Sequence, residues 1–413
     1  MSMQALLFKK SIPRYLWIRF LSARVPRMVT GLGSCLGLEE VPEPRLPGPS
    51  WVRVRTLLSG ICGSDLAVIR CRGSFYFSAL TSFPFIPGHE VYGQVMETGD
   101  KVTSLNQGDR VVVEPALGCV VRGFAELCPA CSEGRYANCW RVTQGDISEG
   151  LQTGFCRSVP GGWGAQLVAH ESQLHRVPEE LSPEAAVLTE PLSCAIHSVL
   201  RAGVGKGDRV LVVGCGSIGL LTIAALRALS PGCEISAMAK YPHQRDLARV
   251  LGASKVVPSG IKGYRLLATI TGATLHPIEL GKPVVVGGFP FVFECVGTAS
   301  ALDDATRWAW ENGTVVMQGM PTETGADLLA VWYKQLRLIG AYAYGVEDYK
   351  GKRRRTFEIT LELLSRDGLG ERLAGLVRHR YPLRRYKEAI DTAMRAGKTG
   401  GVKTVFDLTD EAL

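Results

Sequence analysis

Four cysteines, Cys119, Cys128, Cys131 and Cys139, fall in one short polar stretch, and Cys128-Pro-Ala-Cys131 forms a CxxC pair. Four thiolates brought close together make a closed, tetrahedral zinc site of the structural kind. Free buried thiols are the plainer alternative, but they fit poorly with a mainly polar loop. Cys119 is the outlying member, because residues 120–127 separate it from the pair. A second set is scattered: Cys62 in Gly-Ile-Cys-Gly-Ser-Asp, His89 and Glu90 in Pro-Gly-His-Glu, and Glu190 in Leu-Thr-Glu-Pro-Leu. A catalytic zinc takes about three protein ligands and keeps one position open, and cysteine, histidine and a carboxylate are suitable donors. Taken singly, each also reads as a buried thiol, a turn histidine or a solvated acid, so spacing alone leaves this set open.

A third constellation is rich in glycine. Val210-Leu-Val-Val-Gly214-Cys-Gly216-Ser217-Ile218-Gly219 reads as a strand, a GxGxxG turn and the start of an apolar helix. Gly214 permits the tight turn, Gly216 lets the backbone approach a pyrophosphate, and Gly219 allows close packing of helix on strand. The N–H groups at the helix start, at Ser217 and Ile218, then face the phosphates. The strand before, the helix after and a second strand downstream supply the context that a lone glycine motif lacks. At the end of that second strand an acid usually binds the ribose of NAD. Ala239 stands there instead, with Lys240, His243 and Arg245 beside it. Without a carboxylate to repel a 2′-phosphate, and with cations to meet it, the reading favours NADP(H) over NAD(H). The plainer reading is that Lys240 and Arg245 are exposed residues at a helix start.

The elements that must position these groups follow from periodicity. Residues 51–58, 93–97, 110–113 and 165–169 read as strands bounded by Gly-Asp or Pro-Gly turns, and 3–8 as a further short strand, which makes a mainly β region over 1–195. From 196 to 340 strands and helices alternate: strand 209–213, helix 218–228, strand 234–238, helix 244–251, then strands 291–295 and 314–317. That alternation implies βαβ units and a doubly wound parallel sheet, so the fold class is α/β. Helices are expected at 357–365 and 386–396, and a last strand at 403–408. The glycine-rich segment 260–288 reads as an irregular, enlarged connection.

The chain has 413 residues, long enough for two domains. Its hydrophobic share of 46% and charged share of 21% suit a globular protein with a sizeable core. A net charge of +8 is mild for this size and does not by itself argue for nucleic acid. The basic run Lys350, Lys352, Arg353, Arg354 and Arg355 is expected to be a solvated loop or helix start. Residues 210–229 are apolar enough to span a bilayer, but their glycines mark them as buried strand plus helix. Six Lys and Arg precede the first acid, Glu39, in the manner of a transit peptide. The early strand argues against that reading, so the expected location is the cytoplasm, with no membrane partner. No signal peptide precedes the twelve cysteines, so metal binding is expected rather than disulfides.

Read together, these motifs resemble the zinc-dependent medium-chain dehydrogenase/reductase superfamily, in its sorbitol and threonine dehydrogenase-like branches. The matching pieces are Gly60-Ile-Cys-Gly-Ser-Asp65, Pro87-Gly-His-Glu90, Gly108-Asp-Arg-Val111, Cys128-Pro-Ala-Cys131 with Cys139, Glu190-Pro-Leu-Ser193, Gly214-Cys-Gly-Ser-Ile-Gly219 and Glu294-Cys-Val-Gly297. They occur in the family's order along nearly the whole chain. The resemblance implies a GroES-like catalytic domain, a Rossmann domain and a C-terminal segment, 341–413, that returns to the catalytic domain. It implies a catalytic zinc on Cys62 and His89, completed by Glu90 or Glu190 directly or through a water. It further implies a structural zinc on Cys119, Cys128, Cys131 and Cys139, and a proton-relaying hydroxyl at Ser64. Two departures stand out. Ala67 occupies the place where the family commonly has a relay histidine, and the loop after Cys119 is lengthened.

The implied activity is hydride transfer between an alcohol or polyol, or its carbonyl, and a nicotinamide cofactor. Zinc would serve as the Lewis acid. The partner would be a small molecule, with the chain working as a homodimer or homotetramer. The rival readings are a zinc-free quinone or enoyl reductase of the same fold and a non-catalytic NADPH-binding protein.

Overall fold

The computed structural model describes residues 2–22, 25–31, 33–321 and 325–410. The chain forms two compact units, one built from residues up to Glu190 together with those from Tyr344 onward, the other from Pro191–Ala343.

The first unit is organised by the strand Trp51–Gly60, whose alternating apolar residues let one face bury. It pairs antiparallel with Val91–Thr98, Gln166–His170 and Lys403–Asp407. Arg110–Val113 and Leu174–Arg176 extend the sheet on one side, and Val377–Tyr381 on the other. Val52, Val54, Val91, Val95, Val111 and Leu167 form the core on its inner face. Ser2–Phe8 pairs antiparallel with Leu36–Pro42 over its full length. Between them the chain makes an excursion that includes the helix Ile12–Leu21, which the sequence reading did not anticipate.

The second unit carries a six-stranded sheet in the order Lys255–Pro258, Glu234–Ala239, Arg209–Val213, Phe289–Glu294, Ala309–Met317, Arg337–Gly340. All its pairings are parallel. The order of succession reverses beside Arg209–Val213, the switch point at which such sheets bind ligands beyond their strand ends. The apolar run 210–229 divides into that strand and the helix Ser217–Leu229. No helix among the described residues is long and apolar enough to cross a membrane.

Two expectations need correction. Segment 260–288 is not irregular. It holds the helix Ile261–Thr271 and the antiparallel pair Thr274–His276 with Val284–Val286. Tyr264 and Leu267 anchor it in the core beside Trp308 and Phe289. Its glycines read as breakers, yet Gly263 lies within the helix and only the two strands are short. The basic run is solvated at Lys350, Lys352 and Arg353, and Arg355 caps the helix Thr356–Leu364, but it is not a loop. Lys352–Arg355 is a strand paired with Val346–Tyr349. Arg355 lies 2.8 Å from the buried Glu114, Arg354 pairs with Glu362, and Arg353 donates to the carbonyl of Glu133 at 2.6 Å. The run was read as a charge pattern, whereas the partners of Arg353 and Arg355 are remote in sequence.

Candidate active site

Cys62 ends the turn that follows the central strand and caps the helix Gly63–Ile69. Its N–H donates to Asp65 Oδ2 at 2.9 Å, so the carboxylate fixes where the thiol sits. The other Asp65 oxygen lies 3.3 Å from His89 Nδ1, a charge contact rather than an aligned hydrogen bond. His89 Nε2 is 3.5 Å from Ser64 Oγ on its other side. A carboxylate behind one imidazole nitrogen, leaving the other to point inward, is the usual support of a metal-ligating histidine. The ligand atoms of Cys62, His89 and Glu90 all lie within 4.8 Å of one another.

Glu90 is fully buried and has both carboxylate oxygens on Lys403 Nζ, at 2.6 and 2.7 Å. Its close approach demands a glycine opposite, since a Cβ on Gly60 would stand 1.8 Å from Glu90 Oε2. Burial works against a charged lysine, but Glu90, Cys62 and Glu190 outweigh it and hold Lys403 above the usual lysine range. Glu190 opens the helix Thr189–Ala202 and is buried, yet it stands outside the three-residue cluster. The site therefore sets Glu90, Glu190 and the Cys62 thiol near one lysine, with Asp65 behind Cys62 and His89. This excess of anionic donors fits a bound cation, and the mixture of S, N and O donors suits zinc.

The second cluster is compact. The thiols of Cys119, Cys128, Cys131 and Cys139 lie within 4.8 Å of one another. Cys119 Sγ is 3.6 Å and Cys128 Sγ 3.9 Å from Cys139 Sγ. A tetrahedral centre with Zn–S bonds of about 2.3 Å sets sulfur–sulfur separations at roughly 3.8 Å, so the four thiols fit one zinc. Backbone N–H groups of Cys128, Trp140 and Arg141 point at Cys119, Cys128 and Cys139 sulfurs. A hydrogen bond from Cys131 leads the effects that bring Cys139 down to about 5. Cys119 reaches the others because the loop after it turns back under Arg122. This fully buried guanidinium donates to the carbonyls of Leu117, Gln144 and Gly150 at 3.0, 2.9 and 2.5 Å.

In the second unit, Gly214 has φ +89, and a Cβ there would stand 2.1 Å from Val296. A Cβ on Gly219 would stand 1.8 Å from the Gly214 carbonyl, whereas nothing lies within 4 Å of the same point on Gly216. The turn is thus tight on one side and open on the side where Ser217 and Ile218 begin the helix Ser217–Leu229, a cradle that suits a pyrophosphate. The buried Glu294 accepts N–H bonds from Val296 and Gly297 and shapes the neighbouring loop. The strand Glu234–Ala239 ends at the buried Ala239. Lys240 is exposed, and Arg245 lies 3.3 Å from the Lys240 carbonyl.

Three contributors escaped the sequence reading as site residues. Asp65 carried a signal, an acid three positions after a helix cap. Lys403 carried none, standing 313 positions from Glu90. Arg122 stood in what read only as a lengthened loop.

A GroES-like unit with a mixed sulfur, nitrogen and oxygen site, and in the same chain a second unit whose parallel sheet carries a dinucleotide turn, define a zinc-type dehydrogenase. Comparison agrees: residues 48–179 match the alcohol dehydrogenase GroES-like domain, and residues 217–360 match the zinc-binding dehydrogenase family. Sorbitol dehydrogenase 1 of Saccharomyces cerevisiae is 29% identical over 320 residues, 76% of this chain and 82% of that protein. L-idonate 5-dehydrogenase of Vitis vinifera is 29% identical over 370 residues, 87% of this chain and 89% of that one. The crystal structure of 2R,3R-butanediol dehydrogenase from Bacillus subtilis has the same fold, with a TM-score of 0.70 at 23% identity, covering 98% of this chain and 99% of its own. The chain belongs to the zinc-dependent medium-chain dehydrogenase/reductase family. It is an oxidoreductase that acts on CH–OH groups of a small molecule with zinc and a nicotinamide cofactor.

Proposed function

We propose that the protein interconverts a secondary alcohol of a polyol and the matching ketone, with NADP(H) as its preferred cofactor. The observation that carries this reading is the gathering of Cys62, His89 and Glu90 within 4.8 Å, next to the Ser64 hydroxyl. When bound, zinc supplies a Lewis acid for the reacting oxygen, and the nicotinamide carries the hydride. Cys62 and His89 hold the metal, with Glu90 as third donor and Glu190 acting through a water. Asp65 orients both leading ligands, and Lys403 keeps Glu90 in place. Ser64 takes the proton of the reacting hydroxyl. Ser64 is half-buried at the start of its helix and can pass the proton to solvent, which makes a histidine at position 67 dispensable. Cys119, Cys128, Cys131 and Cys139 hold a second, structural zinc.

The polyol class rests on the relatives, several of which are named for sorbitol, L-idonate or D-xylulose. The NADP(H) preference rests on Ala239 in place of an acid, with Lys240 and Arg245 beside it. The cytoplasm suits thiolates that must stay reduced. A homodimer or homotetramer is supported by the edge strand Arg337–Gly340, in which Leu338 is exposed, and by the exposed Trp332 and Tyr333 of the short helix before it.

The test is turnover of sorbitol, xylitol and L-idonate, and of their ketoses, with NADP(H) and NAD(H). Higher kcat/KM with NADP(H), falling about tenfold in K240E/R245E while NAD(H) use is kept, supports the reading. Turnover of simple alcohols alone removes the polyol class, and equal use of both cofactors by the unaltered protein removes the NADP(H) preference.

A further inference from the structure

The excursion between the strands Ser2–Phe8 and Leu36–Pro42 carries the helix Ile12–Leu21. A hairpin between two such strands needs only a few residues, so the excursion serves something other than their pairing. Its inner side is fastened. Ile18 is fully buried in the core with Leu6, Val29 and Ile69, and Tyr15 and Met394 pack against that cluster. Arg19 donates to the Cys71 carbonyl at 3.1 Å. The outer side is apolar. Ile12, Leu16, Trp17 and Phe20 are 65%, 44%, 58% and 74% exposed and share one stripe at the helical period. Phe75 and Tyr76, 54% and 80% exposed, form a second apolar spot on the Tyr15 side of the helix, where the Tyr15 and Phe75 rings meet at 5.4 Å and Arg19 stands over the Phe75 ring.

Aromatic and aliphatic side chains turned outward in a contiguous patch mark an interaction surface. The charges around the patch select its partner. Arg14 and Arg19 border the stripe on either side at the helical period and Lys10 precedes the helix, while Lys9 is paired at 2.7 Å with Glu39, the first acid of the chain. Two copies meeting face to face through this patch would bring cations against cations. An apolar stripe with Trp and Phe at its centre and basic residues along its borders is instead the pattern of a helix lying in a membrane interface. The net charge of +8 adds long-range attraction to an anionic surface.

We propose that the helix Ile12–Leu21, with Phe75 and Tyr76, is a docking face that places the enzyme reversibly on anionic phospholipid membranes. The expectation of no membrane partner came from the lack of a spanning segment, and a helix lying flat on the bilayer does not need one. With ten residues the contact is short, so binding is weak, reversible and sensitive to salt.

The test is co-sedimentation of the full-length zinc-loaded protein with phosphatidylcholine vesicles, with and without phosphatidylserine, at low and high salt. The expected result is binding to the phosphatidylserine vesicles that high salt weakens. It should fall about a hundredfold in W17E/F20E and about fivefold in R14E, with turnover in solution retained by both. W17A/F20A, which adds no charge, should show an intermediate loss. Three results overturn the proposal: no sedimentation of the unaltered protein with phosphatidylserine vesicles, undiminished binding by W17E/F20E and W17A/F20A, or a smaller assembly for those variants in equilibrium sedimentation. The last would assign the stripe to a second copy of the chain.

Discussion

The four-thiol cluster takes all its ligands from one stretch, Cys119 to Cys139, and buries every sulfur. Cys62, His89 and Glu90 instead come from the turn after one strand and the approach to another. They mix three donor types, and Cys62 remains partly exposed. The support differs as well. Backbone N–H groups and the carbonyl-bound Arg122 hold the thiol lobe. Charged side chains, Asp65 and Lys403, hold the other set. A closed shell of four like ligands leaves a metal nothing to do but hold the loop. An incomplete shell beside a hydroxyl and open to solvent leaves room for a substrate oxygen. Two zinc ions per chain, one in each setting, are the expected content of protein purified without chelators, read by atomic absorption. A single ion would remove one side of the comparison.

The largest effect is expected from Cys62→Ala. Losing a ligand of the open site should lower kcat by about a thousandfold or more, the loss of several kcal/mol of transition-state stabilisation. NADPH fluorescence titration should show cofactor binding unchanged. Retained turnover would break the assignment of the open site to chemistry. Cys128→Ser should do the reverse, removing one zinc and the rigidity of the lobe. Structural zinc contributes folding energy outright, so a midpoint lower by roughly 5 °C or more, with faster proteolysis within 119–156, is the expected reading. The folded fraction should keep its kcat, and a loss matching that of Cys62→Ala would erase the distinction between the clusters.

In protein stripped of zinc by chelation, Lys403→Met leaves Glu90 buried without its cation. A cost of about 3–5 kcal/mol in urea unfolding is expected, and a change under 1 kcal/mol would mean that Glu90 has another partner. Asp65→Asn keeps the shape but weakens the charge behind His89. Activity or zinc affinity should fall about 10–100-fold, with stability little altered. No change in either would reduce Asp65 to a helix cap.

Local patterns were legible where neighbours in sequence are neighbours in space. The CxxC pair with Cys139, the GxGxxG turn and the strand Arg209–Val213 each form within a few residues of backbone. The parallel sheet was legible for a related reason, because strands buried on both faces read as continuous apolar runs. Segment 260–288 misled because its glycines at 260, 263, 272, 281, 287 and 288 read as breakers, although the helix Ile261–Thr271 accommodates Gly263 and the two following strands have only three residues each. The strand Lys352–Arg355 went unread because Arg353 and Arg355 answer to the Glu133 carbonyl and to Glu114, both remote in sequence. The helix Ile12–Leu21 went unread because its apolar stripe faces out, whereas pattern reading places such a stripe in the core.

By itself, then, the sequence determined the α/β fold class, the kinds of metal donor and the dinucleotide turn, since residue type and short spacing decide those. Only the tertiary structure decided that Glu90 gathers with Cys62 and His89, and that Cys119 reaches its partners over a lengthened loop. It alone showed that a lysine 313 positions away neutralises Glu90. Those outcomes depend on which distant strands pair and on where buried charge must be balanced, and no local pattern in a chain records either.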